Sequence, residues 1–265
     1  MPRMTHCPVA LTIAGSDSGG GAGIQADLKT FAAFGVHGAS AITCLTAQNP
    51  RRVLAVESTT AKMLRQQIEA VFQELHPAAV KTGLLLSAEN VRVVADLFEK
   101  RKRLPLVVDP VIMATSGAPL LKPKALKFLM EKLLPLATLV TPNLHETEIL
   151  TRRKLTSVED LRAAAHQIHA CLGCAALVKG GHLRGTREAV DVFYDGRTEL
   201  LLTAPFIKDV RTHGTGCTCS AAITAALALG HDLPRAVGLA KNYITQAIAN
   251  SYRVGKHFAL NPLFH

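Results

Sequence analysis

The sequence predicts an α/β fold, a three-layer α/β/α sandwich around a mostly parallel sheet with a few antiparallel strands at one edge. Short, continuously apolar segments alternate with helical patterns along most of the 265 residues. Apolar strands separated by helices indicate a parallel sheet that is covered on both faces. Two later segments flank Asp195-Gly196, which is typical of a type I′ hairpin, so we expect antiparallel strands to finish the sheet.

The individual elements follow from the same alternation. We expect strands at 9–15, 37–46, 53–58, 78–82, 106–109, 139–141, 175–179, 189–194 and 198–203. We expect helices up to about Phe34 and at 60–75, 87–103, 122–133, 217–229 and about 233–250, with others between residues 141 and 175. No linker or repeat interrupts the series, so we expect a single domain over residues 1–265.

Composition excludes several classes of protein. The chain is 48% hydrophobic, which is too apolar for a disordered protein. Its longest largely apolar stretch, 221–229, is shorter than the roughly 20 residues that span a bilayer. The apolar run at 9–14 is too short for a secretory signal, which needs about 7–15 such residues and a cleavage site. Six cysteines in a chain of this length do not indicate a disulfide framework, so we expect reduced thiols and a cytoplasmic protein.

The net charge of +10 raises nucleic acid as an alternative partner. The basic residues, however, lie in short clusters, and the cluster at 100–103 ends a helical pattern, where cations complement the helix dipole. Aromatic residues make up only 5% of the chain, which leaves few platforms on which bases could stack. We therefore expect a small anionic ligand as the partner, and neither nucleic acid nor a membrane.

A possible zinc site requires comparison with ordinary packing. Four residues of the right types lie close together in the sequence: His166, His169, Cys171 and Cys174. Ser157 and Asp160, however, have the spacing of a capping box that begins a helix near Val158. The two cysteines then belong to the end of that helix and to the entrance of the next strand, pointing in different directions. The pattern favours packing over metal binding.

Glycine and polar residues gather where the predicted strands end. The segments are Gly15-Ser16-Asp17, Thr46-Ala47-Gln48-Asn49, Lys81-Thr82-Gly83, Asp109-Pro110, Thr141-Pro142-Asn143 and Lys179-Gly180-Gly181. In a doubly wound sheet the carboxyl ends of the strands form the edge at which ligands bind. The sequence therefore predicts a binding site there.

The first glycine-rich loop, at 15–23, opens a helix near Ile24. It is a poor dinucleotide fingerprint, because only Gly21, Gly23 and Ala26 fit the looser pattern and no acidic residue follows about 20 positions on. A nicotinamide-dependent oxidoreductase stays a distant alternative. No Gly-Lys-Ser/Thr follows, so this is not a Walker A loop. We expect a run of small residues that lets backbone approach a ligand.

The second loop is the stronger indication of chemistry. Gly214-Thr215-Gly216 precedes an apolar helix, so several free backbone N–H groups point together and form an anion site. Cys217 lies in the first helical turn, where the same field is expected to lower the thiol pKa and favour the thiolate. An acid–base group beside an anion site is what phosphoryl transfer to an alcohol requires. Cys219 is expected to face the helix packing.

These motifs resemble those of the hydroxymethylpyrimidine/phosphomethylpyrimidine kinases of thiamine biosynthesis, which have a ribokinase-like fold. The similarity is specific at residues 10–31 and at Thr212-His213-Gly214-Thr215-Gly216-Cys217-Thr218, and it extends in order through most of the strand ends. It implies ATP and Mg²⁺, an aminopyrimidine and its phosphate as substrates, and a homodimer. A pyridoxal kinase of the same fold stays open as an alternative, since pyridoxal also offers a hydroxymethyl group on a nitrogen heterocycle.

The resemblance also implies roles for particular residues. Cys217 occupies the place of the catalytic base, and Gly214, Thr215 and Gly216 stabilise the transferring phosphoryl group. Gln48 recognises the pyrimidine through a neighbouring donor and acceptor, in a pocket completed by Gly15, Asp27, Leu84 and Val111. Asp109 and Glu146 organise the metal. The implied contacts of ATP and its phosphates are Asn143, Glu146, Lys179 and Lys241.

Three departures from the family pattern are visible. Residues 114–117 read Ala-Thr-Ser-Gly, with Thr115 where the family often has a phosphate-clamping lysine. Leu84 replaces a common methionine, a change that conserves volume. The glycine-rich tail of the family appears as residues 255–260, in which only Gly255 is glycine.

Overall fold

A computed structural model describes residues 7–101, 103–113, 120–181, 183, 188–207 and 213–264. The strands are β1 (Val9–Asp17), β2 (His37–Asn49), β3 (Arg52–Ser58), β4 (Ala79–Thr82), β5 (Leu106–Val108), β6 (Leu139–Val140), β7 (Ala175–Lys179), β8 (Glu188–Tyr194), β9 (Glu199–Pro205), β10 (Tyr252–Val254) and β11 (His257–Ala259). The helices are α1 (Gly23–Ala33), α2 (Ala61–Glu74), α3 (Ala88–Phe98), α4 (Pro123–Phe128), α5 (Leu144–Thr151), α6 (Val158–Leu172), α7 (Thr215–Ala228) and α8 (Leu233–Ala249).

The nine-stranded sheet, in the order β3-β2-β1-β4-β5-β6-β7-β8-β9, is parallel in its centre and antiparallel at both edges. Strands β2, β1, β4, β5, β6 and β7 pair in parallel, and β8 and β9 add antiparallel strands as predicted. β3 adds another at the opposite edge, which the prediction of antiparallel strands at one edge did not include. The connection from β2 to β3 is too short for a parallel crossover, so β3 must run back alongside β2.

Helices cover both faces of the sheet, which confirms the three-layer fold. The central strand β5 shows this directly, because its side chains alternate between two cores. Leu106 and Val108 pack in the core that includes α2, α3 and α6. Val107 packs on the other face in the core formed with α7 and α8.

Several helix ends differ from their predicted positions. The structure ends α3 at Phe98, so Lys100, Arg101 and Arg103 of the basic cluster follow the helix instead of closing it, and Lys102 lies outside the described residues. Arg101 still serves the helix end, because its Nη1 donates to the Leu97 carbonyl at 2.9 Å. The predicted helix over 122–133 divides into α4 and a π-helical turn at Leu129–Leu133. The capping box predicted for α6 is present, with Ser157 and Asp160 exchanging hydrogen bonds.

The β8–β9 connection is a four-residue turn and not the expected two-residue type I′ turn. Tyr194 pairs with Glu199, and the Asp195 carboxylate accepts hydrogen bonds from the Arg197 and Thr198 amides at 2.9 and 2.7 Å. The aspartate side chain therefore organises a longer loop. A second hairpin, β10–β11, was not predicted. Gly255 lies in its turn with a φ of 58°.

Three of the four residues considered for zinc have packing or hydrogen-bond partners, as the packing interpretation predicts: His166, His169 and Cys174, which is buried in the core. Cys171 is exposed on α6. His166 stacks on Tyr194 with ring centroids 3.8 Å apart, and its Nε2 lies 2.7 Å from a Glu199 oxygen. His169 Nδ1 lies 3.0 Å from the Cys174 carbonyl oxygen.

Among the helices of the described residues, none combines the length and the apolar character that crossing a membrane requires.

Candidate active site

The carboxyl ends of the parallel strands and the N-terminus of α7 surround a cleft of about 1040 Å³. It lies beside β1 and β4, where the strand order reverses, the usual ligand position in a doubly wound sheet. Pockets for small molecules span about 300–1,000 Å³, so this cleft can hold two small ligands side by side.

The structure brings nearly all of the predicted site residues to this cleft. They are Gly15, Gln48, Leu84, Asp109, Val111, Asn143, Glu146, Lys179, Gly214, Thr215, Gly216, Cys217 and Lys241. Thr115 and Thr212, which the sequence also singled out, lie outside the described residues. Val111 has a φ of 43°, a left-handed conformation that costs energy for a β-branched residue and that is concentrated at functional sites.

Asp27 does not reach the cleft, which corrects its expected contact with the substrate. Its side chain is fully buried and forms an ion pair with Lys81 Nζ at 2.7 Å, and its other oxygen accepts a hydrogen bond from Thr12 Oγ1 at 2.6 Å. Lys81 is the member of the pair that lines the cleft. Burial alone would lower the pKa of Lys81, but Asp27 and the neighbouring acidic groups raise it, so the ammonium form persists.

Sequence reasoning named the segment that contains Lys81 but gave the lysine no role. The signal was present, because a lysine in a short apolar strand has to find a buried partner.

In the first glycine-rich loop, the backbone N–H groups are occupied by a side chain of the same loop. The Asp17 carboxylate accepts hydrogen bonds from the Gly19, Gly21 and Ala22 amides at 2.8, 3.2 and 2.9 Å. Burial alone would raise the pKa of Asp17, but the hydrogen bonds from His213 and from these amides lower it below its ordinary value. The loop therefore contains its own anion.

The second glycine-rich loop leaves the N-terminus of α7 open. Gly214 is the N-cap with φ 88°, and no side-chain cap is present. A Cβ at Gly214 would overlap the backbone oxygen of Gly21, so only glycine allows the two loops to meet here. Thr215, Gly216 and Cys217 begin the helix and line the cleft, so their N–H groups, which have no partner within the helix, lie where the sequence predicts an anion site.

Cys217 is half-buried, and the prediction that its thiol pKa is lowered is wrong for this structure. Burial raises the pKa of Cys217 to about 11, against the lowering effect of Lys81, and Asp109 and Asp27 raise it further. A hydrogen bond from the Gly23 backbone lowers it in part. The helix field is local and visible in sequence, whereas the loss of water around the sulfur depends on the whole cleft and is the largest influence on this pKa.

Asp109 and Lys179 meet at the floor of the cleft. Lys179 Nζ lies 3.2 Å from Asp109 Oδ1, and the Thr141 hydroxyl donates to the same oxygen from 3.4 Å. The Ser220 hydroxyl lies 3.4 Å from Asp109 Oδ2 but has a closer acceptor in the Cys217 carbonyl oxygen at 3.0 Å. Burial alone would lower the pKa of Lys179, but Asp109 and Glu146 raise it. The second residue of α7 is close, because a Cβ built on Gly216 would lie 3.2 Å from Lys179 Nζ.

Asn143 and Glu146 form a capping box at the start of α5, which the sequence analysis interpreted only as a phosphate and metal motif. The Asn143 side chain accepts from the Glu146 amide at 3.0 Å, and Glu146 Oε2 accepts from the Asn143 amide at 2.9 Å. Glu146 Oε1 also accepts from the Ile112 amide at 3.1 Å. Burial and the nearby Asp109 raise the pKa of Glu146. The carboxylate thus fixes the loop beside the cleft as well as facing Asp109.

Lys241 is buried, although a solvent-exposed position was considered for it. Its Nζ pairs with Asp191 Oδ2 at 2.8 Å and donates to the Ala189 carbonyl at 3.0 Å. Asp191 Oδ1 in turn accepts from the Gly180 amide at 2.9 Å. Lys241 therefore joins α8 to β8 and to the end of β7 while it lines the cleft.

Gln48 lines the cleft near the end of β2, beside two polar neighbours. Its amide nitrogen lies 2.8 Å from His213 Nε2, and its amide oxygen lies 3.3 Å from Thr46 Oγ1. His213 Nε2 also lies 3.4 Å from Asp17 Oδ2. Asp17 and His213 stand inside the two glycine-rich loops, but no role was predicted for either residue.

Comparison with known proteins gives consistent results. A sequence model of the phosphomethylpyrimidine kinase family matches residues 17–261. The chain is 49% identical to a hydroxymethylpyrimidine/phosphomethylpyrimidine kinase of Rhizobium meliloti, covering 97% of this chain and 96% of that protein. It is 45% identical to the thiamine biosynthesis bifunctional protein ThiED of Geobacter sulfurreducens, covering 93% of this chain and 50% of that protein. The structure also superposes on the ADP complex of Bacillus subtilis pyridoxal kinase with a TM-score of 0.88 and 38% identity, covering 96% and 97% of the two chains.

Proposed function

The chain belongs to the phosphomethylpyrimidine kinase family, and we propose that it phosphorylates 4-amino-5-hydroxymethyl-2-methylpyrimidine with ATP and then converts the monophosphate to the diphosphate. The product serves thiamine diphosphate biosynthesis. One observation supports this most strongly: a single cleft contains both the Gln48 amide, suited to an aminopyrimidine, and the open N-terminus of α7 with Cys217.

In the first transfer, the hydroxymethyl oxygen bonds to the γ-phosphorus while the bond from that phosphorus to the bridging oxygen of ADP breaks. The negative charge stays on the phosphoryl oxygens, so catalysis depends on positioning and electrostatics. The amides of Thr215, Gly216 and Cys217 are fixed in place before reaction, which makes them effective donors to this charge. The Lys179 ammonium lies near the same turn.

The hydroxyl proton passes to the sulfur of Cys217. Because burial holds the pKa of this thiol at about 11, only a small fraction is thiolate at neutral pH. The Lys81 ammonium lowers the cost of that form and is itself held by Asp27. Asp27 therefore acts as a positioning residue beneath the site, and the reaction should quicken as the pH rises towards 11.

The carboxylates of the cleft fit Mg²⁺. Asp109 receives only long hydrogen bonds from its hydroxyl neighbours, and its charge contributes to the raised pKa of Glu146, a repulsion that a cation would relieve. Within the described residues, no group of three or more His, Cys, Asp or Glu side chains forms a metal cage, and Mg²⁺ characteristically uses one or two carboxylates beside water and phosphate. Bound there, the ion would neutralise charge on the phosphate oxygens.

We also propose a homodimer in the cytoplasm. Strand β3 is an edge of the sheet, and Leu45, Leu54 and Val56 on the β2–β3 hairpin are 53%, 59% and 39% exposed. An exposed apolar edge strand is a site for pairing with another chain. The cysteines are all free thiols, as in reducing compartments. Light scattering should give twice the 28.3 kDa chain mass, and Leu54→Lys should shift it towards the monomer.

Pyridoxal kinase activity is the second candidate, and the similarity to the Bacillus subtilis pyridoxal kinase structure favours it. Pyridoxal has no amine beside a ring nitrogen, so it cannot use both the donor and the acceptor of the Gln48 amide. Gln48→Met should therefore weaken activity on the aminopyrimidine selectively. Equal losses on both substrates would contradict the proposed role of Gln48.

The direct test supplies ATP, Mg²⁺ and the hydroxymethylpyrimidine and follows products by mass spectrometry. The monophosphate should appear first and the diphosphate second. Cys217→Ala should lower kcat by about 10²–10⁴-fold, the usual contribution of a general acid–base group. Cys171→Ala is the matched control, because Cys171 is exposed on α6 and should not affect turnover. Unchanged turnover in Cys217→Ala would show that the assigned base is wrong.

A further inference from the structure

His213 lies between the first glycine-rich loop and Gln48, and the proposed transfer gives it no task. Its side chain is 23% exposed, and its Nε2 contacts both the Gln48 amide and the Asp17 carboxylate. Glycine at position 21 leaves room for the ring, because a Cβ there would lie 3.3 Å from His213 Cδ2 and the ring would have to shift slightly.

With the Gln48 amide nitrogen facing His213, the two partners of His213 Nε2 require opposite things of it. The amide nitrogen needs an acceptor there, and the Asp17 carboxylate needs a donor. A nitrogen of neutral imidazole either donates a proton or accepts one. The Asp17 carboxylate can only accept, so a protonated Nε2 suits both neighbours, and its single N–H is shared between Gln48 at 2.8 Å and Asp17 at 3.4 Å. The Gln48 atom 2.8 Å from Nε2 must then be the carbonyl oxygen, which a half-turn of the amide provides without moving its outline.

Thr46 selects the same orientation independently. Its hydroxyl has one proton, which it donates to the Ser16 carbonyl at 2.9 Å. Its oxygen is then an acceptor towards the amide atom at 3.3 Å, and that atom must be the Gln48 nitrogen. Both neighbours of the amide therefore require Oε1 to face His213 and Nε2 to face Thr46.

We infer that His213, held by Asp17, is a positioning residue that fixes the orientation of the Gln48 amide and so determines which ring pattern the cleft accepts. The inference rests on the proposed recognition of the pyrimidine by Gln48. In the fixed orientation, the Gln48 amide keeps one Nε2 proton and one Oε1 lone pair free. The proton can be donated to a ring nitrogen, and the lone pair can accept from the neighbouring amine. The reversed amide would set donor against donor and acceptor against acceptor, so a freely turning Gln48 binds the aminopyrimidine more weakly.

The test is a double-mutant cycle between His213 and Gln48, with KM and kcat measured for the aminopyrimidine. His213→Phe keeps a ring but removes the donor, so KM should rise on the order of tenfold, the value of about one buried hydrogen bond, with little change in kcat. His213→Gln, which offers an amide donor, should recover part of the loss. In a Gln48→Leu background, His213→Phe should add less than about twofold, because its effect acts through Gln48.

The controls separate the two hypotheses. His166→Phe removes another histidine that contacts a carboxylate, that of Glu199. Because His166 lies on α6 and does not line the cleft, this substitution should leave KM unchanged. If Gln48→Leu alone leaves KM unchanged, the proposed recognition by Gln48 fails and the inference falls with it. If Gln48→Leu raises KM but His213→Phe has the same effect in both backgrounds, or lowers kcat alone, the recognition stands and the role of His213 is overturned.

Discussion

The two glycine-rich loops of this protein look alike in sequence and differ in what occupies their backbone N–H groups. Both open helices at the same edge of the sheet, α1 beginning at Gly23 and α7 at Thr215. In the first loop, the Asp17 carboxylate accepts from three amides. Neither helix has a side-chain cap, but among its described residues the second loop has no carboxylate comparable to Asp17, and the first residues of α7 line the cleft.

The difference teaches that glycine and a helix N-terminus provide an anion site only where the chain leaves the amides free. The first loop contains its own anion. It also supports the second loop, because the backbone of Gly21 packs directly against Gly214. The second loop packs against that backbone, and we propose that the positive end of α7 binds the phosphoryl group.

The largest expected effect comes from breaking the contact between the loops. Gly214→Ala places a Cβ against the Gly21 oxygen and should displace the α7 amides, lowering kcat by about 10²–10³-fold, as the loss of one preorganised donor does. Gly230→Ala is the matched control, since Gly230 has nearly the same φ of 87° but nothing within 4 Å of a new Cβ. If both variants keep turnover, the loop contact does not shape the site.

The next effect tests whether Asp17 is the anion of the first loop. Asp17→Ala should lower the free energy of unfolding by about 2–3 kcal/mol, because it removes charged hydrogen bonds to backbone amides, as urea denaturation would measure. Asp195→Ala, which removes a carboxylate from an exposed turn with two amide bonds, should cost less.

The pH dependence of that effect has a definite sign. The pKa of Asp17 is lowered in the folded state, so its contribution is present above the ordinary value of 3.8 and is lost as the pH falls through the folded pKa. The stability difference between wild type and Asp17→Ala should therefore shrink below that pH. A difference that grows in acid would contradict the assignment.

A smaller effect, on the reactivity of the Cys217 thiol, shows whether burial or the helix field determines its pKa. With its pKa at about 11, the thiolate fraction should grow about tenfold per pH unit, and so should the rate of alkylation by iodoacetamide between pH 7 and 10. Mass spectrometry of the Cys217 peptide measures this rate apart from the exposed Cys7 and Cys171. A plateau near pH 8 would mean that the open helix terminus outweighs burial.

Much of the fold could be predicted because its signals are local. The apolar run of β7 was placed at 175–179 and is observed at Ala175–Lys179, and the Ser157–Asp160 spacing correctly started α6. The edge position of β3 was missed, since most of its side chains are exposed and only its short connection to β2 reveals its direction.

The site was predictable as a place but less so as chemistry. Strand ends and loops identified the cleft residues, because they share one sheet edge. The buried pairs Asp27–Lys81 and Asp191–Lys241 join residues distant in sequence, and the pKa of Cys217 depends on burial contributed by the whole cleft. Neither the ion pairs nor the pKa can be predicted from a local sequence pattern.

The central claim is that the second loop, and not the first, receives the transferring phosphoryl group. Backbone amide NMR during titration with Mg²⁺ and a non-hydrolysable ATP analogue tests it most directly. The account predicts large shifts at Thr215, Gly216 and Cys217, with the amides of Gly19, Gly21 and Ala22 nearly unchanged because Asp17 already occupies them. Large shifts in the first loop and none at the start of α7 would contradict it.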